Sequence, residues 1–408
     1  MAYFYSGGRL KVGAPGSNGT DIHDLVKDQT GPVYIYDLDN VVKRFETLKA
    51  ALEGGGTLRH TIHFAMKSNS HPAILAKLAS LGAGVDTVSG GEVKLAIEAG
   101  VPADRIILSG VAKTEREIEY SLSQGIKQIN VESPQELARI ASVARKLGKT
   151  ADVAFRMNPD VNPKTHPYIT TGFRENKFGM DESFLPELIA ILRDTPQHLR
   201  LRGLTQHIGS QLFDLAVMKE AIEKTIKVHR HLETEGFQLD RLDIGGGIGI
   251  RYETGDEEEE LSLVRDYGRM VREAIRGLDV ELLTEPGRVL VARSGLLIGE
   301  VQYIKRAPAK TFAILDTGMH HLMRPALYGA KHRVLPLHDR GAKQNYDICG
   351  PICESSDFLA KDVTLPELHQ GDRVAIADAG AYGFVMASRY NAHELPRELV
   401  VENGVIVN

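Results

Sequence analysis

Cysteine is scarce in this chain: Cys349 and Cys353 are the only two among 408 residues, four positions apart. That excludes a disulfide framework. With no second Cys pair or His pair at ligand spacing, it also argues against a structural zinc site. The two are ordinary or separately used thiols. The pairs His320–His321 and His229/His231 make no better metal sites, and the latter, in a polar helical stretch, is expected on a solvated face. Long apolar runs are missing as well, none approaching the ~18 residues that a membrane-spanning helix needs. No basic tract stands out, and the formal charge is −5 with a pI near 6.3, so nothing points to nucleic acid or an anionic membrane surface. The opening MAYFYSGGRLKVG has no charged segment ahead of an apolar core, which predicts no secretory leader. Together these absences predict a cytoplasmic protein.

What is present is the composition of a globular chain, 42% hydrophobic and 25% charged. Its length is too great for one ordinary core and predicts a large domain with a smaller one. From Thr61 to Pro286 one unit repeats: a short β-prone apolar run, a polar or glycine-rich turn, then an amphipathic segment ending near glycine. The runs are TIHFAM, AGVDTV, RIILS, QINV, VAFRM, LRGLTQH, RLDI and VELLT, eight in all. Helix-like segments between them include His71–Ser80, Gly91–Gly100, Glu115–Gly125, Pro134–Gly148 and Leu215–Gly236. Eight alternating units predict an α/β fold, a closed (β/α)8 TIM-like barrel in preference to an open doubly wound sheet.

The polar residues support that register. Lys67, Asp86, Ser109, Glu132, Asn158, His207, Gly245–Gly247 and Glu285 all fall at the C-terminal ends of the runs, the rim that carries chemistry in such barrels. After about Leu290 strand-like runs follow without long helices between them, which predicts an antiparallel β domain. The N-terminal segment is expected to add a strand to it. The expected division is a barrel over 37–288 and a discontinuous β-sandwich or barrel domain over 1–36 and 289–408, carrying substrate and dimer contacts. The acidic run Asp256–Glu260 reads as a solvated loop.

Several short strings carry chemistry. In HFAMKSN, Lys67 directly follows an apolar strand. Burial of its stem would disfavour the ammonium and leave a nucleophilic amine, although a lysine in such a place is more often a snorkelling surface residue. DIGGGIGIRY offers Gly245, Gly246 and Gly247 as an anion-binding loop or, more plainly, a tight turn. It is no dinucleotide fingerprint, because the third glycine of that pattern would fall on Ile250. TEPGR places Glu285 at the end of the eighth run, where a carboxylate could hold a proton on a pyridine nitrogen. In QHIGSQ, His207 could stack on a planar cofactor and Ser210 could reach a phosphate. GPICES sets Cys353 beside Glu354, and DAGAYGF sets Tyr382 between small residues.

HFAMKSN, HIGSQ, GGGIG, EPGR, RPALY, GPICES and GAYGFVMASRYN, in this order and spacing, resemble the fold-type III pyridoxal-phosphate (PLP) decarboxylases from about Gly31 to Asn391. RPALY and CES resemble the branch of that family that acts on meso-diaminopimelate. The resemblance implies an alanine-racemase-like two-domain architecture, PLP as cofactor, an amino-acid substrate and a homodimer with shared active sites. It implies that Lys67 carries PLP, that His207 stacks on its ring, and that Ser210, Gly246, Gly247 and Tyr382 contact its phosphate. Glu285 would meet the ring nitrogen, and Gly287 and Arg288 would complete the cofactor contacts. Arg288, Arg324, Tyr328, Glu354 and Tyr382 would hold the far end of the substrate. Cys353, from the neighbouring subunit, would protonate the product carbon.

The chain departs from the family at two places. It reads Tyr390-Asn391-Ala392-His393-Glu394 where Tyr-Asn-Ser-Arg-Pro is usual, and Met319-His320-His321 where Met-Asn-Asp is usual. Both bear on substrate preference more than on reaction type. Three other readings stay open at this level: a related decarboxylase of another diamino or carboxyl-bearing amino acid, an alanine-racemase-like enzyme, and an inactive relative that only binds a partner. Glu285 argues against the racemase, and the presence of both Lys67 and Cys353 against the inactive relative.

Overall fold

Each of the eight apolar runs forms a strand, and in the computed structural model, which describes residues 3–13, 18–56, 58–162 and 177–407, they pair in parallel around a closed barrel. In chain order the strands are His60–Ala65, Gly84–Thr87, Ile106–Leu108, Gln128–Val131, Ala151–Arg156, Leu199–Thr205, Arg241–Asp243 and Glu281–Thr284. The last pairs with the first, Leu282 against His60, which closes the ring. Most strand residues are buried, as expected when a parallel sheet is covered by helices outside and by its own side chains within.

The connecting helices are punctuated as their sequences predict. Glu115–Gln124 starts on a capping box between Thr114 and Glu117 and ends on Gly125 at φ +73°. Pro134–Leu147 starts on Ser133 with proline in its first turn and ends on Gly148 at φ +62°. The helix Leu215–Thr234 corrects one expectation: His229 is buried on its inner face, not solvated.

By contacts, the barrel unit is Phe45–Gly249 with Leu261–Gly287, and the second unit is Met1–Arg44, Ile250–Glu260 and Arg288–Asn408. The second unit is built on a nine-stranded sheet whose spine is the long strand Gly295–Arg306. That strand pairs antiparallel with Thr311–Leu315, Arg373–Ile376 and Val33–Asp37. The pairing is not wholly antiparallel: Val33–Asp37 runs parallel to Arg397–Glu402, and Thr311–Leu315 parallel to Lys343–Cys349. The N-terminal segment contributes two strands, Tyr3–Ser6 and Arg9–Val12, to a separate three-stranded sheet. Its Leu10 and Val12 pack with Ile35, Leu296, Ile298 and Val401 in one apolar core.

The acidic run is a second correction. Glu257 opens the helix Glu257–Ala274, and Glu257 and Glu260 are buried. Three residues apart, they share a helical face. Glu257 meets Lys43 at 3.1 Å, and Glu260 meets Arg44 at 3.0 Å and Arg293 at 2.5 Å. These pairs lie wholly within the second unit, which explains why residues 250–260 cluster there although the sequence reading assigns them to the barrel.

Candidate active site

The barrel rim gathers the polar residues at the strand ends. Lys67 sits in a 3-10 turn, Met66–Ser68, directly after the first strand. Its ammonium lies 3.8 Å from a carboxylate oxygen of Asp86, at the end of the next strand. Asp86 is fully buried, and neither of its carboxylate oxygens accepts a hydrogen bond among the described residues. Two further carboxyls are buried: Asp243 ends the seventh strand and Glu285 directly follows the eighth. Burial, with Asp243 and Asp86 nearby, pushes the Glu285 carboxyl well above the usual range against the pull of Lys67 and Arg156. Asp243 is likewise raised by burial, to about 7. The barrel mouth therefore holds a proton among its carboxyls near neutral pH. Asn130 reaches Glu285 at 3.4 Å and Ser109 at 2.9 Å, fixing that side of the floor.

The glycine loop after the seventh strand packs too closely for any side chain. A Cβ on Gly245, Gly246 or Gly247 would lie 2.2 Å from the Gln206 carbonyl oxygen, 2.0 Å from that of Glu285, or 2.4 Å from that of Gly209. Gly245 and Gly247 also have φ of +68° and +115°. The loop is laced to the segment bearing Ser210, since Leu212 N–H donates to Gly247 O at 2.9 Å and Gly249 N–H to Leu212 O at 3.0 Å. Gly246 N–H donates to His207 Nδ1 at 3.3 Å, which places the imidazole hydrogen on Nε2. Burial and the charges of Lys67 and Arg156 hold His207 well below its usual pKa, so the ring stays neutral. Gly287 has its Cα against Ser68, where a Cβ would approach the hydroxyl to 3.0 Å.

A second cluster forms within the other unit. Arg288 and Arg324 are both buried and both face Tyr252. Arg288 Nη1 donates to the Tyr252 hydroxyl at 2.7 Å, and the Arg324 guanidinium carbon stands 4.3 Å over the ring centre. Arg288 also lies 4.8 Å over the ring of Tyr382, which is held at φ +56°, a conformation costly for a bulky residue and concentrated at functional sites. Tyr328 belongs to the same electrostatic group, shifting both arginines. Among the described residues no carboxylate forms an ion pair with Arg324.

Cys353 and Glu354 lie elsewhere in that unit, on an exposed loop. Cys353 N–H donates to Asn391 Oδ1 at 3.1 Å, and the Tyr390 hydroxyl donates to Glu354 at 2.5 Å. Glu354 makes no ion pair with Arg288 or Arg324 among the described residues. The two family departures prove to be one feature. His321 Nε2 donates to the Glu394 carbonyl at 2.8 Å while its Nδ1 bonds Thr317 Oγ1 at 3.0 Å, and the His320 and His393 rings are 4.8 Å apart. Asp357 ties this feature to the thiol loop, accepting from Met319 N–H at 2.6 Å and Ile352 N–H at 2.7 Å. The changes at 320–321 and 393–394 thus pack on each other. Among the described residues no three His, Cys, Asp or Glu side chains form a metal-binding group.

Asp243, Arg156, Asn130, Tyr252 and His332, whose Nε2 stands 2.7 Å from Arg324 Nη1, belong to these clusters and carry no motif of their own. Asp243 and Tyr252 bracket the glycine loop, and a polar residue on either side of such a loop is the signal that could have found them.

The chain is similar to known proteins over most of its length. The family profile described as "Pyridoxal-dependent decarboxylase, pyridoxal binding domain" matches residues 38–292. The chain is 39% identical over 389 residues to a diaminopimelate decarboxylase of Aquifex aeolicus, covering 95% of this chain and 90% of that one. It is 42% identical over 385 residues to one of Helicobacter pylori, covering 94% and 93%. A crystal structure of the Helicobacter pylori diaminopimelate decarboxylase complexed with L-lysine superposes with a TM-score of 0.89 at 40% identity, covering 95% of each chain.

Proposed function

This chain belongs to the diaminopimelate decarboxylase family of pyridoxal-dependent decarboxylases, and from that premise we propose that it converts meso-2,6-diaminopimelate to L-lysine and carbon dioxide, the last step of lysine biosynthesis, with PLP as cofactor. The barrel mouth fits that cofactor by its own chemistry. It offers an amine at Lys67, a glycine cradle with no room for side chains, a neutral imidazole, and buried carboxyls that retain a proton. When bound, the cofactor draws off the electron pair left as the substrate carboxylate departs.

The chain's own residues do the rest. Lys67 is the amine that would hold the cofactor, and the substrate amine would take its place there. Glu285 would meet the pyridine nitrogen and share a proton with it, and its raised proton affinity supports a proton being held there. His207, neutral, can lie against a cationic ring without repelling it. Ser210, Gly246, Gly247, Gly287 and Tyr382 would bind the remainder of the cofactor. Arg288 and Arg324, with Tyr328 and Tyr382, would bind the distal carboxylate, and Glu354 the distal ammonium. The Cys353 thiol would return a proton to the product carbon.

The observation that carries the substrate reading is Arg324: a buried guanidinium whose neighbours are a neutral ring and a neutral imidazole, a setting that favours an incoming anion. Lysine, ornithine and arginine lack the distal carboxylate. Carbon dioxide release from these three and meso-diaminopimelate, measured side by side with PLP supplied, tests the reading. The expected preference for meso-diaminopimelate is on the order of 10⁴ in kcat/KM. Comparable rates with any of the others would remove it.

The exposure of Cys353 on a loop of the second unit, with Lys67 in the barrel unit, supports a homodimer in which each thiol serves its partner's site. Mixing inactive Lys67→Ala and Cys353→Ala subunits should then restore up to about a quarter of wild-type activity, since half the dimers are hybrids and each hybrid has one intact site. Demonstrated subunit exchange with no return of activity would contradict sharing. No helix of the described residues is long and apolar enough to cross a membrane. Both cysteines are free thiols, which supports the cytoplasm as the compartment.

A further inference from the structure

Two guanidinium groups side by side, out of water, repel each other, and something must hold them there. Tyr252 meets both, its ring face toward Arg324 and its hydroxyl accepting from Arg288. The face attracts one cation through the ring quadrupole, and the oxygen lone pair takes the other. Arg324 is held again from a different direction. Its Nη1 stands 2.7 Å from His332 Nε2, and the opposite ring nitrogen, Nδ1, stands 2.8 Å from the Ala377 carbonyl oxygen.

These two contacts assign the imidazole's hydrogen. A guanidinium can only donate, so Nε2 must present a lone pair, and a carbonyl can only accept, so Nδ1 must carry the hydrogen. Both bonds are satisfied by one neutral tautomer and by no protonated form. Burial, then the positive charges of Arg324 and Arg288, hold the ring neutral, at a pKa of about 3. The His332 ring also meets Tyr252 edge-on, 4.9 Å between centres at 62°, so the two supports brace each other. None of these supports is anionic. An acidic partner would neutralise Arg324 in the resting enzyme, whereas a neutral lone pair orients it and leaves its charge for the substrate.

We propose that His332 and Tyr252 are positioning residues that hold Arg324 and Arg288 in the register admitting a carboxylate, and thereby set selectivity for a substrate with an acidic far end. The inference rests on the reading of the arginine pair as the distal-carboxylate site. Neither residue touches the reacting atoms, and their effect is confined to one end of the substrate.

The test measures kcat and KM for meso-diaminopimelate in His332→Leu, His332→Gln and Tyr252→Phe, together with inhibition by L-lysine and the visible absorbance of bound PLP. Loss of a hydrogen bond to a charged group predicts a rise in KM on the order of 10-fold or more for His332→Leu, with kcat changing much less. His332→Gln retains an acceptor toward Arg324 and a donor toward Ala377, and should recover most of that loss. Tyr252→Phe retains the ring face but not the hydroxyl, and a smaller rise, about 3- to 10-fold, is expected. Inhibition by L-lysine, which as the product keeps the distal carboxylate, should weaken in step with the rise in KM, while the PLP absorbance stays at the wild-type value in all three. If His332→Leu does not fold, the same pattern is read from Tyr252→Phe. An unchanged KM, or lysine inhibition that stays at the wild-type value while KM rises, overturns the inference alone. A wild-type enzyme that does not turn over meso-diaminopimelate overturns the substrate reading and this inference with it.

Discussion

Lys67→Ala, supplied with PLP, should remain folded yet lack the visible absorbance of attached cofactor and lose turnover by at least about 10²- to 10⁴-fold. The lysine side chain is roughly one-third exposed, at 35%, so an alanine leaves no cavity in the barrel core. What the variant removes is the amine itself and its 3.8 Å approach to Asp86. The buried carboxyls remain, and without the nearby ammonium Glu285 loses a charge that lowers its proton affinity. The variant's barrel mouth should therefore be more strongly protonated, and it should be no less stable to heat. A normal rate with an intact visible band would show that some other amine holds the cofactor.

Arg324→Met should cost meso-diaminopimelate on the order of 10²- to 10³-fold in kcat/KM while leaving the protein at least as stable. The loss follows from removing one partner of a buried, hydrogen-bonded charge pair in the complex. The stability follows from the resting state: burial lowers the Arg324 pKa, its partners His332 and Tyr252 are neutral, and methionine fills a similar volume without a charge to desolvate. Selectivity should move as well. The wild-type pocket rejects lysine because lysine leaves Arg324 unpaired, and the variant has no such charge, so the ratio of meso-diaminopimelate to lysine should fall. Kinetics with both substrates, beside a thermal melt, check the three expectations together. Wild-type preference for lysine, or no loss in the variant, would mean that the fused departure at 320–321 and 393–394 accompanies a pocket remade for another amino acid.

The barrel was legible because its signal is local and repeated. Eight short β-prone runs, each followed by a turn and an amphipathic segment, became eight parallel strands, and the polar residue closing each run fell on one rim. Elsewhere, local pattern misled or was silent. Asp256–Glu260 reads as a solvated block by charge, yet Glu257 and Glu260 are buried because Arg44 and Arg293 come to them from more than 30 residues away on either side. His229 sits among polar neighbours, and only the helix's orientation decides that it faces inward. The parallel pairing of Val33–Asp37 with Arg397–Glu402 joins opposite ends of the chain, which no window of sequence displays.

The same division holds for the candidate site. Lys67, His207, the glycine loop and Glu285 are strand-end residues, found by register. Arg324 and Arg288 were found by resemblance to RPALY and EPGR. Tyr252 and His332 carry no motif of their own, and their roles appear only when a ring and a lone pair are seen against two guanidinium groups. The departures at His320–His321 and His393–Glu394 stand far apart in the sequence. The hydrogen bond from His321 to the Glu394 carbonyl makes them one packed unit, spanning 73 residues of sequence.

The most direct measurement follows product from meso-2,6-diaminopimelate with the PLP-loaded wild-type protein, counting carbon dioxide and resolving the amino-acid product by chiral chromatography. Equal amounts of carbon dioxide and L-lysine are expected, and no product when PLP is withheld. Carbon dioxide without L-lysine, or no turnover of meso-diaminopimelate by protein that carries PLP, would contradict the proposed function.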